Sequence, residues 1–256
     1  IIRTNADGGV RLLYHGTSTT ATDAVINTST AFNTTYNNPM YVGYMYGTSG
    51  SIPGARENTN NSTIKTAIDK WYKDNLNTNY GKYISTTAVY CNDRSVTNGT
   101  YSTSSSFDYA AYTRLGSNKT PSYDCSVTED KFTVDTSTGN GKLTYPIALM
   151  TADEVSFAGG LYGNNAQTWY YLNSANGSIT GDTVWQLLSP CDWGGSYAFV
   201  FVVRGSSSPG SLSNGYGVSY SGGVRPVISL KSDVLYKSGD GSAGTPYTIE
   251  ESTSGC

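Results

Sequence analysis

Charged residues are scarce in this chain. They make up 14% of its 256 residues, against about a quarter in an average globular protein. Lys and Arg form no cluster, and the formal net charge is -3. A nucleic-acid partner needs a basic stripe on the protein. We therefore expect no nucleic-acid partner.

Long hydrophobic runs are also absent. No apolar run approaches the roughly 18 residues that a membrane-spanning helix needs, so we expect no direct membrane insertion by this segment. The chain starts at Ile1 without an initiator Met or a visible signal peptide. We expect an export signal or anchor to belong to an amino-terminal region that precedes this sequence.

Motifs for catalysis and for metal binding are missing. His15 is the only histidine, no GxSxG nucleophile elbow occurs, and no two cysteines form a CxxC pair. The acidic pair Asp153 and Glu154 is explained by a helix start, where carboxylates are favourable. The sequence thus predicts a protein that is not an enzyme and that holds no cofactor and no metal.

The four cysteines predict one structural disulfide. Cys91 and Cys125 flank a loop rich in Tyr, Ser and Thr, and closing that loop stabilises the fold by about 3–4 kcal/mol in the chain-entropy account. Cys191 and Cys256 either pair with each other or are both free.

The hydrophobic pattern predicts one α+β domain over residues 1–256, with two main helices, many short, mostly antiparallel strands, and long loops. Apolar residues recur at the helical period from Ser62 to Leu76. A second helix starts at Thr151, where Glu154 completes a capping box. Strands are expected at Gly9–Tyr14 and Tyr41–Tyr46, and the carboxy-terminal part predicts a hairpin.

The segment 183–231 combines stiff apolar stretches with soft loops. Strand-like stretches lie at 185–190, 198–203 and 224–230, while the residues between them are mainly Gly, Ser, Tyr, Trp and Asn. Rings give a large contact area for few frozen torsions, and small polar residues give adaptable hydrogen bonds, as in antibody loops. This composition predicts a surface for recognition. The alternative is that Trp193, Tyr197, Tyr216 and Tyr220 fill the core.

Several motifs together carry a resemblance to a known family. They are the Thr151-Ala-Asp-Glu capping box, the stretch from Trp185 to Ser189-Pro190, the strand Phe199–Val203, and the stretch from Gly223 to Leu230. The chain resembles the C-type-lectin-like and formylglycine-generating-enzyme-like domains of bacterial surface proteins. It most resembles variable proteins that diversity-generating retroelements diversify, which often stand behind a pilin-like amino-terminal helix.

The resemblance implies a C-type-lectin-like fold with a variable ligand-binding segment at 183–231. It implies a framework set of constant positions: Trp185, Ser189, Pro190, Val224, Arg225 and Pro226. It also implies a ligand-facing set of diversified positions: Asp192, Trp193, Ser196, Tyr197, Arg204, Ser213, Asn214, Tyr216, Ser219, Tyr220 and Ser221.

The implied function is that of an exported, surface-displayed adhesin or receptor, located extracellularly or at the cell surface. Its partner would be a protein or glycan ligand on another cell, a phage or a host surface. Two alternatives are a structural pilus or cell-surface subunit and a calcium-dependent glycan-binding module. In the calcium-dependent module, Asp182, Asp192 and Asp240 would be the acidic ligands.

Overall fold

A computed structural model describes residues 1–17, 24–164, 166, 184–205, 208–214, 216–242 and 244–250. Residue 183, Asp182 and Cys256 lie outside this described part. Within it the fold is mixed, with mostly antiparallel sheets and few helices, which confirms the predicted fold class at that level.

The strands are short, apart from two in the carboxy-terminal half. In chain order they are β1 Arg3–Thr4, β2 Val10–Leu13, β3 Asn27–Ala31, β4 Met45–Tyr46, β5 Asn60–Asn61, β6 Tyr90–Cys91, β7 Val96–Asn98, β8 Phe107–Tyr109, β9 Lys131–Phe132, β10 Ala148–Leu149, β11 Val184–Trp193, β12 Ala198–Arg204, β13 Leu212–Ser213, β14 Ser221–Val224, β15 Pro226–Ser229, β16 Tyr236–Ser238 and β17 Thr248–Ile249.

The helices are α1 Ile52–Ala55, α2 Thr63–Asn75, α3 Asn77–Tyr80, α4 Ala110–Tyr112 and α5 Ala152–Phe157. Short 3₁₀ turns span Pro39–Val42, Gly81–Tyr83 and Thr128–Asp130, and one π-helical turn spans Thr113–Ser117.

Two sheets organise the chain. The first has the order β1-β2-β15-β10, with all pairs antiparallel, so a strand near the amino terminus lies beside one near the carboxy terminus. The second has the order β13-β12-β11-β14-β3, and β8 also pairs with β11 and β7. Its β11–β14 pair is parallel. We call the segment 183–231 the recognition segment. Its described strands β11, β12 and β14 form the centre of the second sheet.

The predicted long helix is confirmed as α2. Its apolar stripe is buried at Ile64, Ile68 and Tyr72. The side chain of Ser62 accepts a hydrogen bond from the amide of Lys65 at 3.3 Å and donates one to the carbonyl of Tyr44 at 2.8 Å. This cap satisfies one of the amides that a helix start leaves without a partner.

The predicted capping box is confirmed at the start of α5. The amide of Glu154 donates to Thr151 Oγ1 at 3.1 Å, and the amide of Thr151 donates to Glu154 Oε2 at 2.9 Å. Glu154 also accepts from Arg11 Nη1 at 2.6 Å and from Arg3 Nε at 2.9 Å. The helix start is thus tied to the first sheet by a buried carboxylate.

The strand predicted at Tyr41–Tyr46 is wrong over most of its length, because only Met45–Tyr46 is extended and paired. A 3₁₀ turn over Pro39–Val42 precedes it. A distant side chain replaces the strand ladder here. Asn92 accepts from the amide of Tyr44 at 2.9 Å and donates to the carbonyl of Val42 at 3.3 Å.

The predicted disulfide is confirmed, since Cys91 and Cys125 are bonded. Cys191 is a free, fully buried cysteine. The predicted carboxy-terminal hairpin is also confirmed as the antiparallel pair of β16 and β17.

Candidate functional site

The framework set lies entirely in the interior. All six of its residues are buried. Ser189 Oγ accepts a hydrogen bond from the amide of Ala152 at 3.0 Å, which joins β11 to the start of α5. The guanidinium of Arg225 lies 5.1 Å from the centre of the Trp185 ring, and its Nε donates to the carbonyl of Tyr14 at 3.2 Å. These contacts tie β11 to α5 and hold Arg225, the residue that follows β14, against the Trp185 ring.

Two members of the ligand-facing set are wrong as surface residues. Trp193 is 1% exposed and Ser213 is 8% exposed. β11 continues to Trp193, where a loop was expected, and its last residues pair with both β8 and β12. Trp193 stands opposite Phe107 and Ala198 in those ladders, so its ring fills the core.

The other members of the ligand-facing set reach the surface to different degrees. Ser196, Tyr220 and Ser221 are exposed, with Tyr220 at 41%. The remaining six are half-buried: Asp192, Tyr197, Arg204, Asn214, Tyr216 and Ser219. Six of these nine exposed or half-buried residues fall into two neighbourhoods.

The first neighbourhood is a tyrosine patch made of Tyr36, Tyr197, Tyr216, Ser219 and Tyr220. Tyr36 and Tyr197 stack with ring centres 4.1 Å apart, and Tyr216 and Tyr220 lie 4.6 Å apart. Tyr197 Oη and Ser219 Oγ are hydrogen-bonded. Because Tyr36 is 41% exposed, a ligand can contact the patch from solvent.

Tyr36 is not among the ligand-facing residues predicted from the sequence. Tyr36 follows β3, far along the chain from the recognition segment, and its carbonyl accepts from the amide of Ala198 at 3.0 Å. The only local signal is composition, because the stretch 33–38 is rich in Asn, Thr and Tyr.

The second neighbourhood is an arginine cavity beside β13. Its volume is ≈ 300 Å³, and it is lined by Tyr162, Gly163, Asn164, Arg204, Ser208, Ser211, Leu212, Ser213 and Asn214. Tyr162 Oη donates to Asn214 Oδ1 at 2.7 Å, and Arg204 Nη2 donates to Ser213 Oγ at 3.4 Å. Three of these residues, Arg204, Ser213 and Asn214, belong to the ligand-facing set predicted from the sequence, and the others do not.

Asp192 interacts with the side chain of Asn214 and stands opposite Asp108 in the β11–β8 ladder. Burial raises the pKa of the Asp192 carboxyl, and the carboxylate of Asp108 raises this pKa further. Burial also raises the pKa of the Cys191 thiol well above its usual value, with Asp192 and Asp108 adding to the effect. Cys191 is therefore a protonated thiol, and a protonated thiol is a poor nucleophile.

The acids considered for calcium show ordinary structural roles where the structure describes them. Asp240 accepts hydrogen bonds from the amide of Ser242 and the hydroxyl of Thr245, which is turn chemistry. Across the described ranges, no group of three or more His, Cys, Asp or Glu side chains is arranged to hold a metal ion.

Comparisons with known proteins give no relative: no family model, no curated protein and no solved structure matches this chain. In the part of the chain that the structure describes, every helix is too short or too polar to cross a membrane.

Proposed function

We propose that this chain is a non-enzymatic, exported ligand-binding domain displayed at a cell surface, with a C-type-lectin-like fold and a diversified carboxy-terminal segment. The observation that carries the proposal is the tyrosine patch, a cluster of accessible rings among serines and glycines next to strands that are almost completely buried. Binding energy at protein interfaces is concentrated in a few such aromatic anchors.

The division between buried and accessible positions supports diversification. Substitutions at Ser196, Ser219, Tyr220 and Ser221 would change the surface without removing atoms from the core, since these side chains are exposed or half-buried. The framework set is buried and would tolerate little change. Surface positions can therefore vary without loss of the fold, because different residues form the core.

The disulfide supports export. Disulfides persist in oxidising compartments, such as the outside of the cell, and are rare in the cytosol. The C-type-lectin-like assignment is supported by the two capped helices and by the short antiparallel strands around the recognition segment.

Paired aromatic variants test the binding surface. The native domain would be tested on arrays of cell-surface glycans and cell-surface proteins. We expect binding to at least one component, with affinity reduced more than tenfold in the double variant Tyr36→Ala, Tyr197→Ala. A matched double variant, Tyr236→Ala and Tyr247→Ala, removes another exposed ring pair and should bind normally. Equal loss in both double variants contradicts the proposal.

Two libraries test diversification. One randomises five accessible positions: Ser196, Tyr197, Ser219, Tyr220 and Ser221. The control randomises five buried positions of β11 and β12: Leu187, Leu188, Val200, Phe201 and Val203. We expect most members of the first library to fold and most of the second to fail. In the genome, we expect a near-identical template copy of the coding segment beside a reverse transcriptase gene, and its absence would contradict retroelement mutagenesis.

A further inference from the structure

Arg204 is a cation at the edge of a polar cavity. It ends β12, where it lies opposite Val184 in the ladder. Its amide donates to the carbonyl of Ser211 at 2.8 Å, and its carbonyl accepts from the amide of Gly210 at 3.1 Å. These two bonds fix the backbone of Arg204 against residues 210 and 211, so the position from which its side chain extends is defined.

The charge of Arg204 has no acidic counterpart among the described residues, where the ion pairs involve other arginines and lysines. Its bond to Ser213 Oγ, at 3.4 Å, is long for a hydrogen bond. A guanidinium offers five donors in a planar fork that matches a carboxylate. Arg204 therefore keeps donors for a ligand.

A second cation adds to the positive potential on one side of this cavity. Lys119 Nζ lies 5.5 Å from the centre of the Tyr162 ring, and Tyr162 lines the arginine cavity. Lys119 is exposed. The carboxyl of Asp192, which interacts with Asn214 and Tyr162, is an acidic group near the same ring, so Arg204 is the cation that a ligand carboxylate would contact in this cavity.

The rest of the lining is suited to a polyhydroxylated ring. Ser208 and Ser211 contribute hydroxyls, Asn164 and Asn214 contribute amides, and Tyr162 contributes a ring. Leu212 is the sole aliphatic side chain among these described lining residues, which offers little for the apolar side chains of a peptide. A volume of ≈ 300 Å³ is at the lower end of the range for small-molecule sites, about 300–1,000 Å³.

We propose that the arginine cavity binds a carboxylated sugar unit of a glycan, with Arg204 holding the carboxylate and the serine and asparagine side chains contacting the ring hydroxyls. The inference rests on the ligand-binding function proposed above and names a ligand class for it. It requires no calcium, because the positive charge comes from side chains.

Calorimetry or saturation-transfer NMR on the whole chain tests the inference with small probes. The two acidic sugars are D-glucuronate and N-acetylneuraminate. D-glucose tests the ring without the charge, acetate tests the carboxylate alone, and N-acetyl-alanyl-alanine tests a peptide carboxylate. We expect at least one acidic sugar to bind about tenfold or more tightly than the other three probes, with or without a chelator.

Variants connect the binding to Arg204. Arg204→Gln should weaken binding of the acidic sugar at least tenfold, while Lys237→Gln, a charge removal in the exposed strand β16, should leave it unchanged. Arg204→Lys keeps the charge but loses the planar fork. The affinity of Arg204→Lys for the acidic sugar should lie between the affinities of Arg204→Gln and the native protein. If Arg204→Gln has a lowered melting temperature, Arg204→Lys is used in its place.

Four outcomes overturn the inference: neither acidic sugar binds at millimolar concentration; acetate or the dipeptide binds as tightly; chelator abolishes binding; or Arg204→Gln and Arg204→Lys both bind normally. None of these affects the array and library experiments on the tyrosine patch. If the patch binds a ligand while the acidic sugars fail, only the ligand class proposed for this cavity is lost.

Discussion

Trp193 and Tyr220 represent two kinds of ring in the recognition segment, because the former is 1% exposed and the latter 41% exposed. The indole Nε1 of Trp193 has no hydrogen-bond partner among the described residues. Trp193 thus contributes by filling volume, whereas the ring of Tyr220 is available to another molecule.

We predict that Trp193→Ala lowers the free energy of unfolding by about 3–5 kcal/mol, the usual cost of removing a large buried ring. Trp193→Phe should cost less, since most of the volume stays and no described hydrogen bond is lost. Tyr220→Ala should change stability by no more than about 0.5 kcal/mol. Urea unfolding of the three variants measures these differences, and a stable Trp193→Ala would contradict the core placement.

Glu154 is a buried carboxylate that pairs with two arginines. We predict that Glu154→Gln lowers the free energy of unfolding by about 3–5 kcal/mol, because Arg11 and Arg3 then lose their carboxylate. The control is Asp74→Asn, which breaks the exposed Lys70–Asp74 pair and should cost about 0–1 kcal/mol. Similar losses in both variants would contradict this difference.

The contribution of Glu154 to stability should also depend on pH. Burial acts to raise the pKa of Glu154, but Arg11, the amide of Thr151 and Arg3 together hold this pKa below its usual value of 4.5. The unfolded state therefore binds the proton first as pH falls. The stability difference between the native protein and Glu154→Gln should be constant above about pH 5.5 and shrink as the pH falls below 4.5. Unfolding curves over this range measure it.

At the scale of elements, β11 and β12 have both a structural and a display role. Their buried residues form the centre of the second sheet, while the turn between them carries Ser196 and Tyr197 to the surface. The segment around Gly217 lies against this turn through a bridge to Phe199. The orientation of the tyrosine patch thus depends on how closely these two segments approach.

We predict that Gly217→Ala displaces Tyr197. A Cβ atom at Gly217 would stand 1.9 Å from Tyr197 Cε1, so the ring must move and its stack on Tyr36 must open. The cost should be about 1–3 kcal/mol, as for other overpacking changes. Gly194→Ala, whose Cβ would meet Phe199 at an ordinary 3.5 Å, is the control. A crystal structure of Gly217→Ala with an unchanged Tyr36–Tyr197 stack would refute the prediction.

At the scale of the whole molecule, the Cys91–Cys125 disulfide closes a loop between two residues separated by 34 positions. The loop contains β7 and β8, and β8 pairs with β11. The cross-link therefore restricts the part of the chain that covers the end of the central strand, and with it the core around Trp193.

We predict that the double variant Cys91→Ala, Cys125→Ala loses about 3–4 kcal/mol of stability, because its unfolded chain regains the entropy of an open loop. Reduction of the native protein should give a similar loss. Denaturant unfolding with and without reductant measures both. A reduced native protein as stable as the oxidised one would contradict the entropic account.

Features that depend on near neighbours could be predicted from the sequence. The stripe and cap of α2, the capping box of α5, strand β2 and the carboxy-terminal hairpin each follow from residues only a few positions apart. The disulfide was also predictable, because only four cysteines exist and two of them flank one loop.

Which rings of the recognition segment face solvent depends on contacts between distant parts of the chain. Trp193 is buried because β8 pairs with the end of β11, and Tyr197 gains its stacking partner Tyr36 from a segment that follows β3. Likewise, the side chain of Asn92, which is distant in sequence, accepts the hydrogen bond from the amide of Tyr44 that a neighbouring strand would otherwise accept. The exposure of a side chain depends on which remote segments pack over it, and the local sequence pattern does not identify those segments.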